Sequence, residues 1–560
     1  MQKPKHYVFV APPMMGHIRP MTHFACNLLK IHPTLCITFI THIAYLTVIK
    51  TESARHSSPE LRLDDRLHII SVGKDKRGSD NLDVGSEVYP SFVEIAVDFP
   101  TVYASLLRCE VSKFNLAEVP FSTQPSVVLV DSPLVSLVAP SKEEVEKAQG
   151  IKIKIPLIIE NAIPPMFILR LANFLSETHR LAGDPCREVY ANLCSTPGGL
   201  HSDQRPQWEE VHDLNAGNGL VKVPGMPETY AYELCPQRSA QQYPPNVLEM
   251  LSAVAQSNVD LTSHVFPYDA TLDGEAADAF NTLCGRSKEA MYLIGPQFPD
   301  EFWSGKRPQG STLELLKGTT SGKVEGFLDK MQARFGRSVL YISFGSLTFP
   351  RETSHLVALF DTLLSISPPI PFLFSRDPRY IKLPDDLYGR LNAKMEEGLA
   401  LIVEWAPQQT VLQHPAVSFF LSHCGSGSVH EAIVSAVPLI LWPIAYDQPY
   451  IAAVLTRKHK VAFELLQVRT GINVGRPTAG SGTIVLGTDA AIREEMRSVL
   501  TLTRGEDAEA LRSNMKVLQR AFKESHDSGT ARQAMERFGH IAEELVTRAD
   551  LGCEASSPSC

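Results

Sequence analysis

Short apolar runs alternate with longer helix-like segments along most of the chain, and this alternation limits the fold more than any other feature. The run "HYVFVAPP" is followed by the helix-like "THFACNLLKIH" and then by a second apolar run, "CITFITH". Apolar runs and helices that alternate in this way are typical of a parallel sheet with helical crossovers. "SVVLVDSP" and "IKIPLIIENA" are predicted to be further strands of the same sheet.

The alternation stops and then starts again in the second half. "MYLIGPQFP" ends the first half, "DEFWSGKRPQGST" is rich in turn residues, and "SVLYISFGS" opens a second sheet. A single hydrophobic core usually stops growing near roughly 250 to 300 residues, and this chain has 560. We therefore predict an α/β fold with two tandem, Rossmann-like, doubly wound parallel-sheet domains. The predicted first domain is 1–305, followed by a linker at 306–335, a second domain at 336–520 and a C-terminal segment at 521–550.

The composition excludes several classes of protein. The chain is 44% hydrophobic and 21% charged, as in ordinary globular proteins. The net charge of -9 is mild and no block of Lys and Arg stands out, so no nucleic-acid partner is expected. Ten cysteines without a CxxC pair favour reduced thiols in the cytoplasm over a zinc ribbon or a disulfide framework. The most apolar late stretch is broken by Pro438, Pro443 and Asp447, so no membrane segment is expected. We expect a cytoplasmic monomer.

The segment "HCGSGSVHE" is predicted to connect a strand, "VSFFL", to a helix, "SVHEAIVSA". The unpaired N–H groups at such a helix N-terminus favour an anion, and we predict a diphosphate here. Gly425 and Gly427 would allow a ligand to approach the backbone, and His423 and Ser428 would add hydrogen-bond donors. A tight turn without a ligand is the alternative. The dinucleotide fingerprint is absent because His430 stands where it requires glycine.

Three further segments carry groups that suit a nucleotide sugar. Glu431 lies early in the predicted helix, where a carboxylate can bind vicinal hydroxyls or simply favour the helix N-terminus. Trp405 follows the strand "LALIV" and offers a flat surface for a base, although a lone Trp is more often a core residue. Asp447 and Gln448 follow "PLILWPI" and suit sugar hydroxyls.

The order of these segments is more specific than any one of them. "EWAPQQTVLQHPAVSFFLSHCGSGSVHEAIVSAVPLILWPIAYDQ" closely resembles the C-terminal signature of the family 1 UDP-glycosyltransferases, with W-A-P-Q, H-C-G-x-x-S, the following Glu and the terminal D-Q in register. "SVLYISFGS", "YLIGPQFP" and "VPGMP" resemble other segments of that family, so the resemblance covers most of the chain. It implies the GT-B fold, with an N-terminal acceptor domain, a C-terminal nucleotide-sugar domain, a cleft between them, and a last helix that packs back on the N-terminal domain.

The resemblance also implies roles for individual residues. Trp405 would stack on uracil, Glu431 would hold the ribose, and Asp447 and Gln448 would bind the transferred sugar, with a lean toward glucose. The remaining donor-site residues implied by the motifs are Gly16, Ser346, Ala406, Gln408, His423, Gly425, Gly427 and Ser428. The commonest plant form of the motif is H-C-G-W-N-S, and Ser426 and Gly427 depart from it here.

His17 and Asp131 are the predicted reacting pair. His17 follows the first strand in a place that matches the family's "GHxxP", and an imidazole titrates near 6.5, which suits a general base. Asp131 ends the strand "SVVLVD" at the same sheet edge, where its carboxylate would orient His17 and stabilise the imidazolium. Most histidines are structural or exposed, and a strand-end Asp can simply cap the next segment. No Asp-x-Asp stands in the sequence, so neither a metal nor another cofactor is expected.

The predicted reaction is an inverting transfer of a sugar from a UDP-sugar to a hydroxyl of a small, largely apolar acceptor. A nucleotide-sugar epimerase and a non-catalytic UDP-sugar binding protein are the alternatives. The register of the motif disfavours the epimerase, and the matched base and orienting acid disfavour the binding protein. Four aromatic residues between Val84 and Leu107 are predicted to line the acceptor pocket: Tyr89, Phe92, Phe99 and Tyr103.

Overall fold

The structure is a computed structural model of the chain. It describes residues 5–56, 63–74, 84–110, 112–114, 117–119, 123–169, 219–237, 263–287, 290–305, 318–346, 348–350, 352–379 and 381–544, together with Val254, Ser257, Asn258 and Leu261. The stretch at 177–219, which the sequence leaves unassigned, lies outside these residues except for Gly219.

The first half forms a seven-stranded sheet in the order β11-β10-β7-β6-β1-β2-β3, and all of its strand pairs are parallel. Its strands are β1 (Lys5–Val10), β2 (Leu35–His42), β3 (Leu67–Val72), β6 (Val127–Asp131), β7 (Leu157–Glu160), β10 (His264–Phe266) and β11 (Met291–Leu293). Two short antiparallel hairpins stand apart from it: β4 (Ser112–Phe114) with β5 (Ala117–Val119), and β8 (Leu220–Val221) with β9 (Thr229–Tyr230).

Helices cover both faces of this sheet. They are α1 (Met15–Ile31), α2 (Leu46–Ala54), α3 (Leu63–Arg66), α4 (Val84–Leu107), α5 (Val135–Ala148), α6 (Ala270–Leu283) and α7 (Asp300–Trp303). Successive side chains of β1 enter two separate cores, because strand residues alternate between the faces of a sheet. Tyr7 and Phe9 pack with α1, while Val8 and Val10 pack with α4. Burial on both faces explains why these strands are continuous apolar runs.

The second half forms a six-stranded parallel sheet in the order β14-β13-β12-β15-β16-β17. Its strands are β12 (Val339–Ser343), β13 (Phe372–Ser375), β14 (Ala400–Val403), β15 (Val417–Ser422), β16 (Leu439–Leu441) and β17 (Ala462–Glu464). Its helices are α8 (Gly318–Phe335), α9 (Thr353–Ser365), α10 (Asp385–Glu396), α11 (Gln408–Leu412), α12 (Ser426–Val434), α13 (Gln448–Ala453) and α14 (Asp489–Leu502). The structure therefore has the two parallel-sheet domains that the sequence predicts.

The segment between the two sheets is not simply a linker. Residues 306–317 lie outside the described part of the chain, but Gly318–Phe335 forms α8. Val324, Leu328 and Met331 of this helix are buried in the core of the second domain. The predicted linker at 306–335 is corrected here, because its second half has apolar residues at helical spacing and packs as a helix.

Two helices at the C-terminus connect the domains. They are α15 (Glu506–Asp527) and α16 (Thr530–Phe538), and the predicted boundary at 520 falls inside α15. The chain turns at Gly529, where an added Cβ would lie 2.9 Å from the Cα of Ser525. The second helix packs on the first domain, where Phe538 contacts the rings of Tyr7 and Tyr292. Full burial of one such Phe stabilises the fold by about 1.5 to 3 kcal/mol.

No helix in the described part of the chain is long and apolar enough to cross a membrane.

Candidate active site

His17 and Asp131 meet at the carboxyl edge of the first sheet. His17 lies in the first turn of α1, and Asp131 is the last residue of β6. The Nδ1 atom of His17 lies 3.1 and 3.0 Å from the two carboxyl oxygens of Asp131. Asp131 is fully buried, whereas 14% of the His17 side chain is exposed. Since Nδ1–H donates to the carboxylate, Nε2 is left with a free lone pair for an incoming hydroxyl. Gly16 is exposed beside it.

Burial sets the charge state of this pair. Desolvation lowers the pKa of His17, while the nearby carboxyls of Glu160 and Asp447 oppose the shift. Burial raises the pKa of Asp131 to about 7, and hydrogen bonds from Glu160 and from the backbone of Ser132 oppose that rise. The neutral imidazole is therefore favoured at neutral pH, which is the form that can accept a proton.

The turn between β15 and α12 forms a compact cradle around His423. Cys424 adopts a left-handed φ of 69°, and its N–H donates to Ser422 Oγ at 3.2 Å. An added Cβ would lie 2.6 Å from the His423 ring at Gly345 and 2.4 Å from it at Gly425. The missing side chain of Gly425 makes room for the imidazole, and its role in the approach of a ligand stays a prediction. Gly427, by contrast, has open space where a Cβ would stand.

His423 faces the cradle as a neutral ring. Burial lowers its pKa to about 4, so it carries no charge at neutral pH. Its Nδ1 is buried without a hydrogen-bond partner among the described residues. The first turn of α12 adds unpaired backbone N–H groups, which suit an anion. Ser428 lies in that turn, and Ser346 is exposed after β12. The predicted phosphate ligands therefore lie at the carboxyl edge of the second sheet.

Glu431 is held by amide and guanidinium groups. Gln408 Nε2 donates to its Oε2 at 2.7 Å, and Gln409 Nε2 donates to its Oε1 at 2.9 Å. Gln408 also donates to Ser428 Oγ at 3.1 Å and accepts from the Tyr341 hydroxyl. A carboxylate has about four acceptor positions, so Glu431 retains capacity for a ribose hydroxyl. Sequence reasoning missed Gln409, although it directly follows Gln408 in "APQQ".

Two arginines of the first domain extend this network across the cleft. Arg19 donates to Glu431 at 3.4 Å and to Glu52 at 3.0 Å. Arg55 donates to Glu52 at 2.8 Å and to Gln409 Oε1 at 2.8 Å. The network brings together residues from two sheets, so no local pattern in the sequence could have indicated it.

Trp405 follows β14, whereas Asp447 and Gln448 follow β16, so all three lie at the carboxyl edge of the second sheet. Trp405 is half-buried after β14, and the next residue, Ala406, is buried. Burial raises the pKa of Asp447 to about 7, and nearby His17 opposes the rise. The predicted sugar-binding acid therefore lies close to the predicted base.

The Gln448 side chain is already largely engaged. Its Oε1 accepts the backbone N–H groups of Ile444 and Ala445 at 2.8 and 3.0 Å. Its Nε2 donates to Thr348 Oγ1 at 3.0 Å. One amide hydrogen remains for a sugar hydroxyl.

The aromatic residues of α4 pack away from the cleft. Phe99 and Tyr103 have no exposed surface, stack on each other at 5.3 Å and join the core that contains Val8 and Val130. Phe92 is buried in the same core. This corrects the predicted pocket lining for these three residues, because an aromatic at helical spacing more often serves the core than a binding site. Tyr89 lies on α4, but its side chain is outside the described part of the chain.

Two buried groups near the base were not singled out from the sequence. Glu160 is the last residue of β7, in register with Asp131 on β6. Tyr268 follows β10, and its hydroxyl donates to the Ala162 carbonyl at 3.2 Å and interacts with Ser426. Tyr268 and Ser426 line a cavity between the domains together with Met166, Asp273 and His430. A polar residue at the end of a buried strand was the available signal for Glu160.

Comparison with known proteins points to the same family as the sequence motifs. The family model described as "UDP-glucoronosyl and UDP-glucosyl transferase" matches residues 320–473. The UDP-glycosyltransferase eriJ of Hericium erinaceus is 27% identical over 503 residues, covering 89% of this chain and 90% of that protein. Solanidine UDP-glucose glucosyltransferase 1 of Solanum tuberosum is 30% identical over 280 residues, covering 47% of this chain and 54% of that protein.

Solved structures share the fold. Os79 from O. sativa, in complex with U2F and a trichothecene, superposes with a TM-score of 0.62 at 21% identity, covering 96% of this chain and 100% of that one. UGT73P12 of Glycyrrhiza uralensis, in complex with glycyrrhetinic acid 3-O-monoglucuronide, superposes with a TM-score of 0.66 at 18% identity, covering 99% of each chain. The predicted GT-B fold is confirmed.

Fold and site together define a two-domain α/β enzyme whose sheets face each other across a nucleotide-sugar cleft. The chain carries the family pattern of the UDP-glycosyltransferases at 320–473 and is similar to one of them over 89% of its length, and it transfers a sugar from a UDP-sugar to a small-molecule acceptor. The prediction of family and reaction is confirmed, and these matches give no support to the epimerase alternative.

Proposed function

We propose that the chain transfers glucose from UDP-glucose, with inversion, to a hydroxyl of a largely apolar small molecule, with His17 as the general base. The observation that carries the proposal is the contact between His17 Nδ1 and both oxygens of buried Asp131. This contact directs Nε2 toward the cleft and prepares a negative partner for the imidazolium that forms.

In the proposed reaction, His17 Nε2 removes the hydroxyl proton of the acceptor. The acceptor oxygen attacks the anomeric carbon while the bond from that carbon to the UDP oxygen breaks, and UDP leaves with the bonding electrons. A single displacement of this kind inverts the anomeric centre. General-base assistance typically accelerates such a step by roughly 10² to 10⁴-fold.

In the proposed reaction, groups of the second domain stabilise the departing UDP. The helix N-terminus of α12, the neutral imidazole of His423 and the Ser428 hydroxyl supply hydrogen-bond donors at the predicted diphosphate position. Preorganised donors at a developing charge are a large source of rate acceleration. We therefore propose that no metal or other cofactor is required. Full activity after exhaustive EDTA treatment would support this, and restoration of lost activity by Mg²⁺ or Mn²⁺ would contradict it.

Names of relatives support glucose and apolar acceptors. Two further relatives are a flavonoid 3-O-glucosyltransferase of Fragaria ananassa and an anthocyanidin 3-O-glucosyltransferase of Vitis vinifera. One solved neighbour is described with UDP-2fluoro-glucose and pterostilbene. The single free amide hydrogen of Gln448 is available to a glucose hydroxyl.

A screen of phenolic, terpenoid and polyketide hydroxyl acceptors tests the proposal. Each acceptor is incubated with UDP-glucose, UDP-galactose, UDP-glucuronate or UDP-N-acetylglucosamine, and products are detected by mass spectrometry. We expect hexose transfer from UDP-glucose and a β-linked product by NMR. Preferred use of another donor would contradict the glucose assignment, and an α-linked product would contradict the inversion.

We also propose a cytoplasmic monomer. All six cysteines among the described residues are free thiols, as is usual in a reducing compartment. Both halves of the cleft and the helix that joins them come from one chain, so no partner subunit is needed to complete the site. Imaging of a fluorescent fusion and light scattering of the purified protein test the two statements.

A further inference from the structure

Two carboxyl groups lie side by side beneath the proposed base. Asp131 and Glu160 end adjacent parallel strands and are in register with each other. Residues in register on neighbouring strands point to the same face, about 4.8 Å apart along the hydrogen-bonding direction. Asp131 is fully buried and Glu160 is 1% exposed, and their side chains form a hydrogen bond. Two carboxyls can share a hydrogen bond only if one of them carries a proton.

The surroundings do not supply charge for two carboxylates. Within the described ranges, no Lys or Arg forms an ion pair with either group, and the only ion pair at the site joins Asp131 to His17. From the other elements, the titratable groups that face the site are Asp447 and Tyr268, and neither of them is a cation. The backbone of Ser132 provides one hydrogen bond to Asp131. Glu160 Oε2 is buried without a donor directed at it from the described residues.

We propose that Asp131 and Glu160 share a single proton held mainly on Glu160, and that Glu160 is a positioning residue that tunes the basicity of His17 through Asp131. The proposal rests on the function of His17 proposed above. Glu160 does not contact His17 Nδ1; it donates to the carboxylate that does. This hydrogen bond draws part of the negative charge of Asp131 away from the imidazole.

The physical reason is the cost of a second buried charge. Two like charges in one desolvated site cannot both ionise, so one carboxyl keeps its proton. Burial and the neighbouring Asp131 both raise the pKa of Glu160 well above its usual value. Burial also raises the pKa of Asp131, to about 7, but the Glu160 hydrogen bond opposes that rise. Asp131 is therefore the member of the pair that loses its proton first. A lone Asp131 would attract the imidazolium more strongly and would make His17 a base that protonates at higher pH.

Infrared spectroscopy of the whole protein tests the proton directly. We expect wild type at pH 7 to show a protonated-carboxyl C=O band that is absent from Glu160→Gln. The comparison uses difference spectra, because burial also raises the pKa of Asp273 to about 8 and of Glu495 to about 7. Glu146→Gln is the matched control, since Glu146 is equally buried but ion-paired with Lys142 at 2.7 Å. A spectrum of Glu160→Gln that retains every protonated-carboxyl band of wild type would overturn the proposal.

The pH profile of kcat/KM tests the tuning. Glu160→Gln can still donate to Asp131, so its acidic limb should coincide with that of wild type. The single negative charge of the carboxyl pair opposes the fall in the pKa of His17. Glu160→Leu cannot donate, so this charge rests wholly on Asp131, in contact with Nδ1, and the limb should move up by about one pH unit, the size of effect that one charge interaction produces. The positioning role would be overturned if the protonated-carboxyl band vanished in Glu160→Gln while the acidic limb of kcat/KM did not move in Glu160→Leu. If Glu160→Leu does not fold, the infrared result and the Glu160→Gln limb still decide. The infrared measurement does not depend on catalysis. It therefore tests the shared proton even if His17 proves not to be the general base.

Discussion

Arg19 Nη1 lies 3.4 Å from Glu431 Oε1, so the first helix of one domain contacts the residue expected to hold ribose in the other. Arg19 is only two residues after His17 on α1. The same guanidinium donates to Glu52 of its own domain at 3.0 Å. The predicted donor site and the proposed base are therefore connected through one helix.

Arg19→Ala should weaken donor binding more than it slows the chemical step. Hydrogen bonds between charged groups contribute about 1.5 to 3 kcal/mol, and partial exposure of Arg19 reduces this to about 1 kcal/mol. We expect a roughly fivefold rise in the KM for UDP-sugar with kcat little changed, as for loss of uniform binding. Arg532→Ala, which removes a surface pair with Glu536, is the control. An unchanged donor KM would show that the contact does not contribute to donor binding.

His17→Ala should abolish transfer without preventing UDP binding. Removal of a general base costs roughly 10² to 10⁴-fold in rate, while the predicted UDP contacts, apart from Gly16, belong to the second domain. Asp131→Ala should cause a smaller loss, because it leaves the imidazole in place without its orienting partner. The measurements are steady-state UDP release and calorimetric titration with UDP. Normal turnover by His17→Ala would disprove the base assignment.

The activity should depend on pH through His17 alone on the acidic side. Burial lowers the pKa of His17 below its ordinary 6.5, and only the neutral ring accepts a proton. We therefore expect kcat/KM to rise with pH, with a midpoint below pH 6.5, and to stay constant at pH values above this transition. Burial raises the pKa of Asp447 to about 7, and its carboxyl opposes the fall in the pKa of His17. Asp447→Asn should therefore lower activity and move the midpoint to lower pH, but the titration should remain. If the pH dependence of kcat/KM on the acidic side disappeared in Asp447→Asn, the titrating group would be Asp447 and not His17.

Trp405→Ala should raise the KM for UDP-sugar through loss of base stacking. Stacking of a base on an aromatic ring contributes about 1 to 3 kcal/mol, which corresponds to a KM increase of roughly fivefold to a hundredfold. Trp405→Phe keeps an aromatic surface and should lose less. Calorimetry with UDP measures the effect without an acceptor. Equal UDP affinity for wild type and Trp405→Ala would remove the stacking role.

The sequence predicted the parts of the site that follow strands and missed those that depend on packing between elements. His17, Asp131 and Glu431 each lie at a strand end or the adjoining helix, where parallel-sheet topology fixes their edge. Arg19 and Gln409 gain their importance only when the two domains meet. Phe99 and Tyr103 were misassigned because the pattern shows that a helix face is apolar but not what it packs against. The sequence could not show that α8 continues the second domain, because turn residues precede it.

Ser426→Trp, which restores the commonest plant residue, should destabilise this protein. The hydroxyl of Tyr268 interacts with Ser426, and the Tyr268 ring is 2% exposed and packs on His430 at 4.9 Å between centroids. An indole at 426 would have to displace that ring, and overpacking of this kind costs about 1 to 3 kcal/mol. Gly427→Asn, the other plant residue, is the matched control, since a Cβ there meets nothing within 4 Å. Urea unfolding should therefore give a lower midpoint for Ser426→Trp and a wild-type midpoint for Gly427→Asn. Equal midpoints for both variants would mean that Tyr268 does not limit the space at position 426. If Tyr268 does limit that space, adding Tyr268→Ala to Ser426→Trp should recover the lost stability.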